Sequence, residues 1–398
     1  MARILPLAIP VFFAFTALGQ DSSKILYFHG GETERDIQQI TTVIRAVADV
    51  PQSTPDTVQR TLTLRGTAAQ VAAGEWLFDE LDKSANNPLE QQPADTAVHE
   101  YQLNSGPEGL IRVFYLKYAA TLQDFQEAAT LIRSIGQIRS AFTYSAPRAL
   151  VVRGNTDQSA MAAWLVKTLG GAPQPVTSTL EFRVQGTNDD VVRVLYLPNT
   201  RSLLAFQEVA TLMRSIGDIR YLFTYNTPHA LALRGTTAQA SLAQWLAAEL
   251  EKPADAPPNS ANREFHLTGT AENVVHLFYL PQTETVARFQ QIVASIRKST
   301  QISRAFTYNE PRALAVRGTP DQIALATNLV QEWGGHYAPL PHCYLFRATN
   351  RSRGASRRIS RSTSNPVSSS KAAYSASVLS RPPDSQTTNI ARSLLIAS

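Results

Sequence analysis

The chain has 398 residues, of which 43% are hydrophobic, 17% are charged and one is a cysteine. This length allows two to four ordinary domains with apolar cores, and a single cysteine excludes an internal disulfide framework. The net charge of +5 comes from the C-terminal end, because residues 339–398 hold eight arginines, one lysine and one aspartate and so carry +8, which leaves about −3 for residues 1–338. We therefore expect no nucleic-acid partner for the main part of the chain.

The first 20 residues have the layout of a secretory signal peptide. Arg3 supplies a positive start, residues 4–18 are apolar, and Ala17-Leu18-Gly19 is a small-residue cleavage site. A membrane anchor is the alternative, but the apolar stretch is short and contains two prolines. We expect an exported protein, periplasmic or secreted, with no transmembrane segment after signal cleavage.

One phrase of sequence occurs three times at regular intervals. It reads IRSAFTYSAPRALVVRG at 138–154, IRYLFTYNTPHALALRG at 219–235 and ISRAFTYNEPRALAVRG at 302–318. A fainter copy lies upstream, with KILYF at 24–28 and RTLTLRGTAAQ at 60–70. A period of this length predicts one small domain per repeat rather than one turn of a thin solenoid.

Each copy carries the same signals in the same order. A short apolar run typical of a strand (VFYL, VLYL or LFYL in copies two to four) precedes a helix whose apolar residues recur at i, i+3, i+7 and i+10. The repeated phrase predicts two strands around a proline turn, and a capping box after the Arg-Gly pair predicts a second helix. The apolar stripe consists of Leu122, Phe125, Ala129 and Ile132, then Leu203, Phe206, Ala210 and Met213, then Val286, Phe289, Val293 and Ile296.

The predicted fold class is α+β, with four tandem β-α-β-β-α domains, an extra leader strand in copies two to four, and a disordered C-terminal tail. The expected boundaries are 1–20 for the signal peptide, 24–83, 99–169, 179–250 and 262–336 for repeats 1 to 4, with repeat 1 divergent, and 337–398 for the Ser/Arg-rich tail. The spacers at about 83–98, 170–178 and 251–262 have the composition of flexible linkers. We therefore expect four beads on a semi-flexible string. A polyanion-binding arm and a shifted reading frame are the alternatives for the tail.

The order of strand, amphipathic helix with an arginine in its last turn, hairpin and L-x-V/L-R-G-T-x-x-Q resembles the short periplasmic domains of secretins. The matching hairpins lie at 147–154, 228–235 and 311–318, and the resemblance as repeats covers residues 24–336. It implies the β-α-β-β-α fold and a periplasmic interaction module that packs side by side or grips partner proteins. Secretins carry a pore-forming region where this chain has its Ser/Arg-rich tail, so the resemblance implies the module and not the channel.

Signatures of enzymes are mostly absent from the sequence. Nucleophile-elbow, phosphate-loop, zinc-protease and dinucleotide-binding motifs do not occur. The S-x-x-K strings at Ser295 and Ser368 lack their companion motifs, and His336, His342 and Cys343 match no zinc spacing. We expect no catalytic residue, no cofactor and no metal, and the protein is not expected to be an enzyme; an unrecognised hydrolase is the alternative.

Two arginines recur in every repeat. One lies in the last turn of the first helix, where a cation complements the helix dipole; an inter-domain salt bridge is the alternative. The other ends the last strand, where its stem can cover the edge of the core while its charge stays in solvent. The two sets are Arg45, Arg133, Arg214 and Arg297, and Arg65, Arg153, Arg234 and Arg317.

The hairpin tips carry the candidate partner-contact residues, because tyrosine and arginine are favoured at contact hot spots. A core position is the alternative for the tyrosines. The candidates are Tyr144, Arg148, Tyr225, His229, Tyr308 and Arg312.

The expected function is protein–protein interaction or scaffolding in the bacterial envelope by an exported, non-enzymatic repeat protein. Its expected partners are envelope or extracellular proteins, with self-association as one option. The alternative is binding of cell-wall or extracellular polysaccharide, for which exposed aromatic residues would be needed. Trp76, Trp164 and Trp245 are expected to be buried on helices, which disfavours that alternative.

Overall fold

The computed structural model describes residues 21–30, 33–85, 99–103, 106–186, 190–252, 263–281 and 283–334. The expected signal peptide, the expected tail at 337–398 with Cys343, and most of the spacers at 83–98 and 251–262 lie outside the described residues.

Four successive β-α-β-β-α repeats form the described chain, and repeats 2 to 4 each have an additional leader strand, which confirms the predicted fold class. Repeat 1 comprises β1 (Asp21–Tyr27), α1 (Glu34–Val47), β2 (Gln52–Asp56), β3 (Thr61–Thr67) and α2 (Ala68–Ala85). Repeat 2 comprises β4 (Glu100–Gln102), β5 (Leu110–Tyr115), α3 (Leu122–Ile135), β6 (Ser140–Tyr144), β7 (Ala149–Gly154) and α4 (Thr156–Leu169). Repeat 3 comprises β8 (Leu180–Arg183), β9 (Val191–Tyr196), α5 (Leu203–Gly217), β10 (Tyr221–Tyr225), β11 (Ala230–Gly235) and α6 (Thr237–Leu250). Repeat 4 comprises β12 (Glu264–His266), β13 (Val274–Tyr279), α7 (Val286–Thr300), β14 (Arg304–Tyr308), β15 (Ala313–Gly318) and α8 (Pro320–Gly334).

Each repeat has its own antiparallel sheet. The strand orders are β1-β3-β2, β4-β5-β7-β6, β8-β9-β11-β10 and β12-β13-β15-β14. Equivalent strands pair in the same register, so that Tyr27 opposes Thr61 in repeat 1 as Tyr115 opposes Ala149 in repeat 2. Positions can therefore be compared between repeats residue by residue.

The second helix of each repeat begins at the capping box that the sequence predicts. In repeat 3, the N–H of Gln239 donates to the Thr236 hydroxyl at 3.1 Å and the N–H of Thr236 donates to Oε1 of Gln239 at 3.0 Å. The Gln239 amide also donates to the carbonyl of Asp218 at 2.7 Å, where the first helix ends with a left-handed residue. The motif thus starts one helix and ties it to the end of the other. The same box occurs at Thr67–Gln70, Asn155–Gln158 and Thr319–Gln322.

The apolar stripe of the first helix is buried, apart from its first member. Phe125, Phe206 and Phe289 are completely buried against their sheets. The stripe residues Leu122, Leu203 and Val286 are exposed instead, which corrects the expectation for these three. Each is the first residue of its helix, and helical side chains lean towards the N-terminus, so these side chains extend past the core.

The repeats pack on one another, which corrects the expectation of beads on a semi-flexible string. The first helix of each repeat packs against the hairpin of the next, α1 on β6, α3 on β10 and α5 on β14. Three of the four hydrophobic cores therefore run from one repeat into the next, and the core of repeat 2 includes Val194 and Ala232 of repeat 3. Helices thus cover both faces of the inner sheets, which is why a strand such as β9 is apolar and buried almost throughout. We call the four packed repeats the stack.

Candidate partner interface

The candidate tyrosines of the hairpins lie at the contact between successive repeats, which occurs three times with equivalent residues. At each contact the first helix of one repeat packs on the hairpin of the next, and the second helix accepts a hydrogen bond from its first long strand. Apolar residues fill the centre, and four kinds of side-chain contact recur around it.

A tyrosine that ends the first long strand bonds the preceding repeat. In repeat 3, the hydroxyl of Tyr196 donates to the carbonyl of Thr168 at 2.9 Å. This carbonyl lies in the last turn of α4, where backbone acceptors have no partner within the helix. The equivalent bonds join Tyr115 to Glu80 at 3.3 Å and Tyr279 to Glu249 at 3.0 Å.

An arginine near the end of the last strand bonds the end of the preceding repeat's first helix. The guanidinium of Arg317 is buried and donates to the carbonyls of Ile216 and Glu272, both at 3.0 Å. Burial of this guanidinium corrects the expectation that the charge at this position stays in solvent. The equivalent bonds join Arg153 to the carbonyl of Val47 at 3.0 Å and Arg234 to that of Ile135 at 3.2 Å.

A polar residue of the first helix holds the hairpin turn of the next repeat. The carboxylate of Glu127 accepts the backbone N–H of Asn226 at 3.0 Å and its side-chain amide at 2.9 Å. Glu208 makes the same two bonds to Asn309, at 2.9 and 2.7 Å. Asn226 and Asn309, which the sequence identifies as turn formers, therefore also bind the preceding repeat. Gln39 and Ser145 form the equivalent pair between repeats 1 and 2.

The recurring tryptophans pack on the leader strand of the following repeat. They are half-buried rather than fully buried as expected, since the leader strand lies at the sheet edge. Asn328 occupies this position in repeat 4, after which the described residues contain no further leader strand. The pairs are Trp76 with Tyr101, Trp164 with Phe182 and Trp245 with Phe265, with ring centroids 5.3, 5.8 and 5.6 Å apart.

The three candidate tyrosines of the hairpins face the preceding repeat and not the solvent. Tyr144, Tyr225 and Tyr308 are 0%, 3% and 5% exposed and belong to cores that span two repeats. Burial disfavours the phenolate, so it raises the pKa of Tyr225 and of Tyr308 to about 12. This corrects the expectation that these tyrosines meet an outside partner, because another repeat covers their face of the sheet.

The candidate basic residues hold the hairpin turn within their own repeat. Arg148, His229 and Arg312 are half-buried and adopt left-handed backbone angles, with φ of 52°, 47° and 54°. Arg148 donates to the carbonyls of Ala119 and Ala120, and Arg312 to that of Asn309. The His229 ring stacks on Phe206 with ring centroids 4.9 Å apart. In the described structure, then, all three make contacts inside the chain.

The arginines of the first helices lie in the last helical turn, as the sequence predicts. Arg45 donates to the carbonyl of Ser53 at 2.6 Å, and Arg214 to that of Leu222 at 2.8 Å. Arg297 makes the equivalent bond to Ala305. These arginines therefore also tie the helix end to the edge strand of the same sheet.

Replacing Arg317 by Ala is expected to lower the free energy of unfolding by about 1–3 kcal/mol, because two carbonyls lose a charged donor. Arg65 holds the same position in repeat 1 and is exposed, so Arg65→Ala is the matched control, with an expected change below about 0.5 kcal/mol. Urea unfolding followed by circular dichroism measures both. Equal losses in the two variants would mean that the bond to the preceding repeat contributes nothing.

Asp124 links repeats 2 and 3 through a bond that responds to pH. Its carboxylate accepts the Thr227 hydroxyl of repeat 3 and, at 3.0 Å, the N–H of Thr121. The Thr227 hydrogen bond is the main cause that lowers the pKa of Asp124. Since this pKa is lower in the folded chain, the stabilisation is fully present above the unfolded pKa of about 3.9 and is lost as the pH falls through the folded value.

We expect Asp124→Asn to destabilise the chain at about pH 6, with a difference from the wild type that shrinks below about pH 4. Urea unfolding at several pH values measures this difference. Glu34→Gln is the control, because Glu34 is an exposed acid in the first turn of α1. A difference for Asp124→Asn that is constant with pH contradicts the prediction.

Two side grooves run along the stack between successive first helices. The first lies between α1 and α3 over the edge strand β6, with Phe142 among its lining residues. The second lies beside α3 over β10 and has Phe223 at the equivalent place. Gln126 and Thr130 are exposed residues of α3 that line both grooves. We call these two surfaces the side grooves; they are open to solvent and repeat along the stack.

No helix of the described residues combines the length and the apolar character needed to cross a membrane. The described residues also contain no cluster of three or more His, Cys, Asp or Glu side chains that could hold a metal ion.

No protein-family model matches the chain, and no curated protein matches it. Among solved structures the chain is similar to the secretin complex of ETEC, AspS–GspD, with 12% identity and a TM-score of 0.14 over 57% of this chain and 38% of that chain. It is also similar to the type II secretion system secretin GspD of E. coli K12, with 13% identity and a TM-score of 0.15 over 59% of this chain and 39% of that one. For Aeromonas hydrophila ExeD the identity is 11% and the TM-score 0.14, over 75% of this chain and 59% of that one. The chain thus spans less than two thirds of each of these proteins, and similarity at this level carries no argument about function.

Proposed function

We propose that the chain is an exported, non-enzymatic repeat protein that binds other proteins of the bacterial envelope or the extracellular space and holds them at fixed positions. The observation that carries this proposal is the pair of equivalent side grooves on one stack. Because shared cores join the repeats, surfaces on different repeats keep a constant spacing, which separate beads on a string would not. A repeated surface of constant spacing suits a scaffold.

The chemistry of the grooves favours a protein partner. Each combines a half-buried phenylalanine with glutamine, threonine and arginine side chains. An apolar centre with polar surroundings is the usual composition of a protein–protein interface. Two such grooves that bind one partner together gain avidity even if each is weak.

The tryptophans weigh against the polysaccharide alternative. Sugar-binding aromatic residues need a free face on which the ring of the sugar can stack. Trp164 and Trp245 pack on Phe182 and Phe265 of the following leader strand. Their pairing supports a protein partner over a glycan.

Affinity capture with a groove variant tests the proposal. Thr130→Arg adds a large charged side chain to both grooves, and Ala160→Arg adds the same charge at an exposed position of α4 away from them. Proteins of the periplasm and of the culture medium captured by the full chain should be retained by Ala160→Arg and reduced at least about tenfold by Thr130→Arg. Co-sedimentation with cell-wall polysaccharide runs in parallel. Binding of glycan alone, or capture that Thr130→Arg leaves unchanged, would sink the proposal.

A further inference from the structure

Repeat 1 keeps two hydrogen-bond donors that serve an inter-repeat contact everywhere else. Tyr27 is equivalent to Tyr115, Tyr196 and Tyr279, yet it is 61% exposed. Arg65 is equivalent to Arg153, Arg234 and Arg317 and is also exposed. No repeat precedes them in the described part of the chain. The sheet of repeat 1 therefore presents the donors of a docking contact on its outer side. We call this surface, which includes Ser23, Ile25, Tyr27, Thr54, Asp56, Thr63 and Arg65, the head face.

Repeat 4 presents the matching acceptors at the other end of the stack. The carbonyls that accept the inner arginines belong to Val47, Ile135 and Ile216, and the equivalent residue of α7 is the exposed Ser299. The carbonyls that accept the inner tyrosines have their equivalent at the exposed Glu332 of α8. We call this surface, which includes Arg288, Gln291, Ser295, Ser299, Leu325 and Glu332, the tail face.

The charges of the two faces are complementary. At two of the three inner contacts an aspartate of the first helix lies near the tyrosine of the next hairpin, Asp36 near Tyr144 and Asp124 near Tyr225, while α5 has Ala205 at this position. In repeat 4 the residue equivalent to these aspartates is Arg288, and in repeat 1 the residue equivalent to these tyrosines is Asp56. A head face placed on a tail face in the inner geometry therefore brings a carboxylate to a guanidinium, the pairing with the best geometry among ion pairs.

The uncharged residues of the head face and the tail face also match each other in polarity. At the inner contacts, Val43 lies beside Phe142, and Leu131 lies beside Phe223. In repeat 4 the residue equivalent to Val43 and Leu131 is Ser295, and in repeat 1 the residue equivalent to the two phenylalanines is Thr54. Both end residues are polar. The inner positions equivalent to Leu325 and Ile25 share one core at each contact. Leu325 and Ile25 are both apolar and are 44% and 55% exposed. Polar positions thus face polar positions, and apolar positions face apolar ones.

We propose that two copies of this chain associate head to tail, with the tail face of one copy docked on the head face of the next in the geometry of the inner contacts. The occupant of each end face is then a second copy of the chain. Because the two faces differ, every added copy leaves one face of each kind open, and the assembly grows until it closes into a ring or ends as a linear oligomer. The contact is more polar than the inner ones, so it is weaker and sensitive to salt. The side grooves take no part in it.

Sedimentation velocity of the full chain over a range of concentrations, at low and at high salt, tests this interface. We expect oligomers that grow with concentration and are fewer at high salt. Arg288→Asp places a carboxylate opposite Asp56 and should reduce the association constant at least about tenfold. The same substitution recreates the aspartate that completes the capping boxes of α1 and α3, so the fold of repeat 4 is retained.

A charge exchange separates this contact from other causes. In Asp56→Arg combined with Arg288→Asp the two charges are opposite again, and association should return to within about threefold of the wild type. Thr130→Arg, which alters only the side grooves, should leave association unchanged, so the two proposals fail independently. A wild-type chain that stays monomeric at every concentration in low salt overturns the inference. So does an Arg288→Asp variant that associates like the wild type. Because Asp56 also accepts the N–H groups of Val58 and Gln59 in its own turn, the charge exchange overturns the inference only if it keeps the wild-type circular dichroism and thermal stability and still does not restore association.

Discussion

Replacing Ala232 by Asp is expected to lower the free energy of unfolding by about 3–5 kcal/mol, because it buries an unpaired charge between repeats 2 and 3. Ala232 is completely buried in the core that repeat 2 shares with repeat 3. It lies in β11 between Val194 and Phe223 on the two neighbouring strands. The carboxylate must lose its water or separate the two repeats, and either outcome destabilises the stack.

The chain offers a matched control for this substitution. Thr63 holds the position of Ala232 in repeat 1, on the head face, where no described repeat covers it. Thr63→Asp should change the free energy of unfolding by no more than about 0.5 kcal/mol. The urea midpoint by circular dichroism measures both variants. If the two are equally stable, β11 does not pack on the helices of repeat 2.

Tyr196→Ala is expected to cost about 3–5 kcal/mol of unfolding free energy, since it leaves a cavity the size of an aromatic ring. Tyr196 is almost completely buried in the core shared by repeats 2 and 3, and its hydroxyl donates to Thr168. Tyr196→Phe removes only that hydrogen bond and should cost about 1 kcal/mol. The difference between the two variants separates the packing of the ring from the bond of the hydroxyl.

Tyr27→Ala is the control for Tyr196→Ala, because the same residue type at the same strand position is exposed in repeat 1. Its expected cost is below about 1 kcal/mol. Thermal unfolding by calorimetry, at a protein concentration low enough to avoid association, measures all three variants. A large loss for Tyr27→Ala would show that the head face is already covered in the free chain.

The stack also predicts where unfolding starts. Repeats 2 and 3 are supported on both sides by shared cores, whereas the core of repeat 4 contains residues of that repeat alone among those described. In a linear array, stability is the sum of the repeats and their contacts. Repeats 1 and 4 each have only one such contact, and repeat 4 alone has no shared core on its helix side, so its helices should open before those of repeat 3.

The repeats and their secondary structure could be predicted from the sequence because the signals are local. A capping box such as Thr236 with Gln239 needs only residues three apart, and the apolar stripe of α5 needs only the turns of one helix. The leader strands and the hairpin turns likewise depend on neighbouring residues. The order β-α-β-β-α therefore follows from short stretches of chain.

The candidate site could not be predicted in the same way, because the sequence of a strand does not show what packs against each of its two faces. Tyr225 alternates with its neighbours whether the other side of the sheet meets water or a helix. Two signals did point to a covered face. The first is the strand VVRVLY, which is apolar with almost no alternation, as is typical of a sheet buried on both faces. The second is the loss of aromatic residues at the two ends, where Thr54 replaces the hairpin phenylalanine in the first copy and Asn328 replaces the tryptophan in the last.

By itself, the sequence determined four copies of one module, the order of their elements and the capping boxes that begin the second helix of each repeat. Only the tertiary structure decided that the modules form one stack, that the hairpin tyrosines lie inside it, and that Tyr27 and Arg65 remain exposed at its end. The physical reason is the distance along the chain. The hydrogen bonds that join the repeats, such as Glu127 to Asn226 and Arg317 to Ile216, link residues 99 and 101 positions apart. A pattern among neighbouring residues does not identify a partner at that distance along the chain.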